Sequence, residues 1–397
     1  MRRAGSVVVI ASAMLSAVLV LGAIGVPAAT YRDGDFLQFW IQPQAFFEGA
    51  SPYDPGWWAA IHARVGARPL FAEAVYPPYD ALVFLPLALL PLSYAAAFWL
   101  VTQLVAVAAV GLALARQISD RGGRSVFLAV VLSFQPLWLL VVGGNVTGFL
   151  FAALGGAYLA ARSRHIGRCG ALLGLLAIKP HPFLLLAVAV LAFAESAQRR
   201  ALALGVLATA GPLVVLTLFA RPSWYASWLP AALGLQAAPG SNATAWTIGR
   251  VVGLGPQLQP SGLILGAMAV AAVIGAFAVW SRRTRPQLPL AIAAAIPVSL
   301  AVAPHGWSYD QLLLIVPLAV SFGTLAVRPP PERRRGVAAL ALVAVAIPWA
   351  LYAVAFQRGG EELSVVTPLL AFAALWYLRP DRDSRHAIAS PRAPILR

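Results

Sequence analysis

The chain has 397 residues, of which 60% are hydrophobic and only 11% charged, with a mean hydropathy of +0.79. A soluble domain carries roughly 25% charged residues, so a water-facing globular enzyme is excluded, and recurrent apolar runs of about 18 residues or more exclude a β-barrel, whose strands are short and alternating. The net charge of +15 does not point to nucleic acid, because the arginines sit in short clusters between apolar runs, the pattern that orients helices in a bilayer.

Placing the basic clusters in the cytoplasm threads the chain. After "MRR", residues 7–29 are predicted as a first span, long enough to be retained rather than cleaved as a leader. Residues 30–94 form a first outer loop, too long and too aromatic for a turn. Within it "DGDFLQFWIQPQAFF" reads as a helix start, and "YPPYDALVFLPLALLPL", broken by Pro77, Pro78, Pro86 and Pro91, reads as interfacial or re-entrant. Spans follow at about 95–115 and 125–142, and "GGNVTG" turns the chain outside before a fourth span returns to "RSRHIGR". From Cys169 to Ser196 basic clusters at both ends demand an even number of crossings, so two short helices are predicted with residues 179–182 at the tip. Further spans at about 201–220, 263–280 and 290–303, with three beyond, enclose a second outer loop at 220–262. The expectation is one all-α polytopic domain over 1–397, about twelve crossings, both termini and a basic tail at 380–397 in the cytoplasm against anionic lipid. The alanine- and arginine-rich composition suggests a bacterial plasma membrane. No inverted repeat is visible, which weighs against a transporter.

Polar residues gather at the outer turns, where a membrane protein builds a site. Asp35, just past the first span, has the chemistry of a general base, while Asp33 or Asp35 could equally cap the helix that follows. "DGD" matches the metal-binding D-x-D pattern of nucleotide-sugar enzymes by letters, but it faces away from the cytoplasmic nucleotide pool, so no metal and no cofactor is expected. "PHGWSYDQ" brings together His305, Trp307, Tyr309 and Asp310, suited to a phosphate and a sugar face or, more plainly, to an aromatic belt with a capping aspartate. Lys179 and His181 are polar within an apolar hairpin; a phosphate partner or snorkelling to headgroups would explain the lysine. Asn145 is a candidate substrate contact or a helix cap, and Tyr76 of "YPPYD" is a further candidate. Cys169 reads as a small buried hydrophobe, and the glycosylation-like Asn242-Ala-Thr244 carries little weight.

In order along the chain, "DFLQFW…AFFEGASPYD", "VYPPYDALVFLPLALLPL", "GGNVTG", "GLLAIKPHPFLLL" and "PHGWSYDQLLLIVPL" resemble the polyprenyl-phosphate-mannose-dependent α-mannosyltransferases, integral membrane glycosyltransferases of the GT-C type. The resemblance implies a GT-C fold, a polyprenyl-phosphate sugar donor, a glycolipid or envelope-glycan acceptor, and transfer at the outer face with inversion. It also implies that Asp35 is the essential aspartate, that His305 lies near the donor phosphate, and that Lys179 and Pro180 match the hairpin's lysine and proline. The turn after the third span commonly carries a glutamine in that family; "GGNV" lacks it, so that contact is in doubt. The competing expectations are a transporter or flippase of a lipid-linked sugar, which would need no base, and a non-catalytic scaffold.

Overall fold

The computed structural model describes residues 34–237, 242–253 and 260–378. The expected first span, Asp33 and the basic tail lie outside the described residues. Everything described is helical or irregular, with no strand. Among the described residues six helices are long and apolar enough to cross a bilayer, and four shorter apolar ones accompany them, so the chain is a multi-pass membrane protein.

The segment before the first long helix holds five short helices: α1 (Asp35–Ile41), α2 (Gln44–Glu48), α3 (Pro55–Arg64), α4 (Asp80–Val83) and α5 (Leu85–Ala88). The proline-broken stretch thus forms α4 and α5, each only four residues long. Next come α6 (Leu92–Ala115), α7 (Arg121–Ser133), α8 (Gln135–Gly143) and α9 (Thr147–Arg162). α7 and α8 form one span interrupted at Phe134, whose backbone is extended; Pro136 has no N–H to offer the Leu132 carbonyl, which accepts from the Trp138 indole instead.

The hairpin is built from α10 (Ile166–Gly174), a 3₁₀ turn at Leu175–Ile178, a second at His181–Phe183, and α11 (Leu184–Phe193). Its rising arm is roughly 20 Å long by helical rise, short of the about 30 Å hydrocarbon core. The irregular tip is therefore sunk among the helices, and Ile178, Lys179, Pro182 and Phe183 are all buried. Glycine sets how closely this arm packs. A Cβ on Gly170 would lie 2.3 Å from the Leu202 carbonyl oxygen, and one on Gly205 would lie 2.4 Å from that of Gly167, so α10 meets α12 (Ser196–Ala220) backbone to backbone.

The segment expected as a second loop contains a helix, α13 (Pro222–Ala237). Its leading proline occupies the helix start, where the missing N–H costs nothing, and a second proline, Pro230, lies in its interior. The remainder is α14 (Ile248–Val251), α15 (Pro260–Thr284), α16 (Leu288–Val302), a 3₁₀ segment Ser308–Leu314 running into α17 (Ile315–Ala326), α18 (Pro330–Arg358) and α19 (Val366–Tyr377).

One end of the bundle collects the 143–147 turn, the hairpin tip, the 303–308 turn and the 359–362 turn, tied by Lys179 to Asp310 and by the Ser308 N–H to Glu361. The other end carries the arginine clusters after α6, α9, α15 and α17, with Arg333 beside Asp120 there. The loop helices dock on the first end. Phe39 packs against Tyr76, Phe84 and Trp99 with ring centroids 4.7, 4.8 and 5.2 Å apart, which fixes α1 against α6.

Candidate functional site

Asp35 lies in the first turn of α1, but it does not cap it: Gly34 is the N-cap and no side chain bonds the helix start. Its carboxylate turns away instead and accepts a 2.7 Å hydrogen bond from the Asn145 amide. Asn145 is fully buried in the turn between α8 and α9, where its own Oδ1 accepts from the Thr147 backbone N–H. One side chain thus closes the local turn and donates a hydrogen bond to the carboxylate.

That turn is clamped from α6. Trp99 donates to the Gly144 carbonyl at 2.7 Å, Gln103 donates to the Asn145 carbonyl at 2.8 Å, and the Gly148 N–H donates to Gln103 Oε1. Gly144 adopts φ +65°, the left-handed conformation that glycine tolerates. A glutamine amide therefore does reach this turn, from Gln103 on the preceding helix.

Lys179 is buried, which excludes a snorkelling role. Its Nζ lies 2.6 Å from Asp310 Oδ1 and 4.8 Å from the centre of the Tyr309 ring. Asp310 is divided between two tasks: its other oxygen accepts the Trp307 N–H at 3.1 Å, which is the capping role. Thr147 Oγ1 also lies within bonding distance of Asp310, so the 145–147 turn and the lysine meet on one carboxylate.

A cavity of about 270 Å³ opens between these elements. Asp35, Tyr76, Lys179, His305, Trp307 and Tyr309 line it, whereas Asn145 and Asp310 stand behind the wall. The rest of the lining includes Gln38, Phe71, Val75, His181, Leu184, Trp228 and Leu229. Leu184 and Leu229 are 61% and 55% exposed, so this apolar rim faces the bundle's exterior. Of the lining, Gln38 and the α13 residues had not been singled out. Gln38 was readable, because it lies one turn after Asp35 on the same helix. Trp228 and Leu229 were not, because α13 had not been recognised.

Electrostatics divide the labour. Asp35 is partly accessible from the cavity, yet the protein around it strips most of its hydration, and burial holds its carboxyl above the usual carboxylate range. The Asn145 bond, then the Lys179 charge and the Tyr309 hydroxyl, pull it part of the way back. The His305 imidazole is pushed down to about 4, by burial first and by the Lys179 charge second. It is neutral at pH 7 and offers a hydrogen bond rather than a charge. His305 stands between His181 and Trp307, with ring centroids 5.8 and 5.5 Å away. Among the described residues no cluster of three or more His, Cys, Asp or Glu could hold a metal.

A carboxylate with a raised pKa, a buried lysine and two imidazoles around one cavity suit proton removal from a hydroxyl beside an anionic group. Comparison with protein-family models matches residues 74–304, more than half of the chain, to glycosyltransferase family 87. That span includes Tyr76, Asn145 and Lys179 and stops short of Asp35 and the 305–310 cluster. No curated protein and no solved structure matches the chain.

Proposed function

Because the chain belongs to glycosyltransferase family 87, and is a membrane glycosyltransferase on that ground, we propose that it moves a hexose, mannose by the resemblance, from a polyprenyl-phosphate donor to a glycolipid or envelope glycan. The single observation carrying this reading is Asp35 at the cavity wall, held by Asn145 in the same chamber as Lys179 and His305. On the positive-inside expectation this end of the bundle faces outward. Family membership weighs against the transporter and scaffold alternatives.

In the proposed step Asp35 takes the proton of an acceptor hydroxyl as its oxygen attacks the anomeric carbon. The carbon–oxygen bond to the donor phosphate breaks on the opposite face. The electron pair leaves on the phosphate, and the anomeric configuration inverts. A phosphate ester is a good leaving group, so no strong acid is required. The growing charge on it is met by N–H donors of neutral imidazoles and by Lys179, whose ammonium can share itself between Asp310 and the phosphate. The lipid tail of the donor leaves past the exposed rim of Leu184 and Leu229.

The test follows radiolabel from polyprenyl-phosphate mannose into an envelope-lipid extract, in membranes holding wild type or Asp35→Asn at equal expression. Transfer by wild type that is lost in the variant supports the reading. Transfer surviving in Asp35→Asn sinks the base assignment. Sugar flipping without transfer, equal in both, sinks the enzyme reading.

A further inference from the structure

Gln38 is 3% exposed, and neither its amide oxygen nor its amide nitrogen has a hydrogen-bond partner. Each buried polar group left in that condition costs on the order of 1–3 kcal/mol, so such groups are rare and usually await something. The side chain also lines the cavity. His181 Nε2 and His305 Nδ1, likewise buried and unpartnered, belong to side chains of the same wall. Three elements distant in sequence therefore bring unsatisfied polar atoms to one chamber, which is what a chamber shaped for a polar guest looks like when empty of it.

Position separates their tasks. Gln38 follows Asp35 by three residues on α1, so the two side chains are neighbours on one helix face, with Cβ atoms about 5–6 Å apart. That is less than the breadth of a sugar and a bond, so a ring whose anomeric carbon reacts beside Asp35 lies against Gln38. The histidines stand together at the far side of the sequence, next to Lys179 and Trp307, and suit the phosphate. The cavity, at about 270 Å³, falls below the roughly 300–1,000 Å³ of pockets for drug-sized ligands. That is room for about one ring and its phosphate, and in the proposed transfer the ring whose anomeric carbon reacts beside Asp35 is the donor's. A primary amide presents a donor and an acceptor side by side, which matches two adjacent hydroxyls.

We infer that Gln38 is the specificity-determining residue that reads the hydroxyl pattern of the transferred sugar. This rests on the proposed glycosyl transfer and adds to it the group that selects the donor. A site built to bond a hydroxyl rejects an analogue that lacks it far more strongly than an apolar wall does, because the site's own polar atoms are left unpaired.

The experiment uses the full chain in lipid nanodiscs, an envelope-lipid extract as acceptor, and polyprenyl-phosphate mannose alongside its 2-, 3-, 4- and 6-deoxy analogues. The readout is the ratio of kcat/KM between parent and deoxy donor within each variant, which does not depend on how much protein folds. Wild type is expected to favour the parent over at least one deoxy donor by about 100-fold or more. Gln38→Leu should lose most of its activity on the parent, keep that on the same deoxy donor, and so collapse the ratio to within a few-fold. Gln38→Asn, with a shorter amide, should fall between; should Gln38→Leu be inert with every donor, the Gln38→Asn ratio decides. A ratio unchanged from wild type for every deoxy donor overturns the assignment while leaving the transferase reading intact. Wild type moving no sugar from any lipid phosphate overturns both.

Discussion

Replacing Asn145 with alanine removes the 2.7 Å hydrogen bond that its amide donates to Asp35. A bond of that kind to an ionised carboxylate is worth about 1.5–3 kcal/mol, so its loss corresponds to roughly 10- to 100-fold in an equilibrium or a rate. The direction follows from what Asn145 does: it favours the ionised carboxylate and thereby opposes the rise that burial imposes on Asp35. A general base works only when ionised, so the acid limb of kcat/KM must move to higher pH in Asn145→Ala. Activity should fall roughly 10- to 100-fold on and below that limb and recover as pH rises. Asn145→Asp, which sets a second carboxylate against the first, should push the limb higher still. The assay is a pH–rate profile of sugar transfer in nanodiscs for the three proteins. Asn145 also holds the turn before α9, so structural damage alone would lower the rate equally at every pH. A uniform loss, with the limb unmoved, would refute the coupling of Asn145 to Asp35 as a base.

The buried Lys179–Asp310 pair makes a stability prediction: Lys179→Met should destabilise by about 3–5 kcal/mol because it strands a buried carboxylate, and Lys179→Met/Asp310→Asn should recover most of that. Thermal unfolding in detergent checks it; a double variant less stable than the single would count against the pair. Asp80 is fully buried with neither carboxylate oxygen bonded, and burial holds it well above the ordinary carboxylate range. A folded-state pKa raised above about 3.9 means stability is complete below that pH and declines as pH rises toward the folded value. Asp80→Asn should therefore gain melting temperature over wild type increasingly as pH rises, and a pH-independent difference would contradict this. Gly205→Val cannot keep the backbone contact with α10, so it should loosen the arm that carries Lys179 and lower both the melting temperature and the transfer rate. An unchanged rate and melt would show that the arm is positioned by other contacts.

Composition made the membrane spans legible because length and apolarity are local properties. The 92–115, 196–220 and 260–284 helices announce themselves in any window of their residues. Proline made two elements hard to read. Pro222 opens a helix that its chemistry permits, while Pro136 marks a break within what had read as one span. The site was legible as a set of candidates and illegible as a wiring diagram. Asn145 lies 110 residues from the carboxylate it serves, and Lys179 lies 131 from its counter-ion. Nothing local to "GGNVTG" or "IKPHP" says which other turn each will meet, because partner choice is decided by how the helices stack. The same limit explains why both meanings of a residue could hold at once. Asp310 caps and neutralises, since its two oxygens face different neighbours, whereas Asn145 closes its turn without capping the helix, whose N-cap is Val146.

Charge accounting then constrains the proposed chemistry more tightly than any one residue does. With Asp35 ionised, the chamber and its wall hold two carboxylates against one ammonium, and His305 contributes no charge near neutral pH. Among the described residues that line the cavity, no cation other than Lys179 meets a donor phosphate entering this site. It must bind through neutral N–H donors, with Lys179 committed to Asp310 until charge develops. Ground-state binding of the phosphate is thereby kept modest, while the lysine remains within the same wall to answer the negative charge that appears as the glycosidic bond breaks. Interactions that strengthen only at that moment are the ones that accelerate a reaction. On this reading Asp310 is a regulator of the lysine rather than a ligand of the sugar. Asp310→Asn, by freeing Lys179, should tighten donor binding and lower KM while lowering kcat, a split that simple damage to the site would not produce. Donor titrations of the transfer rate would register it directly, and a rise in KM would tell against the shared ammonium.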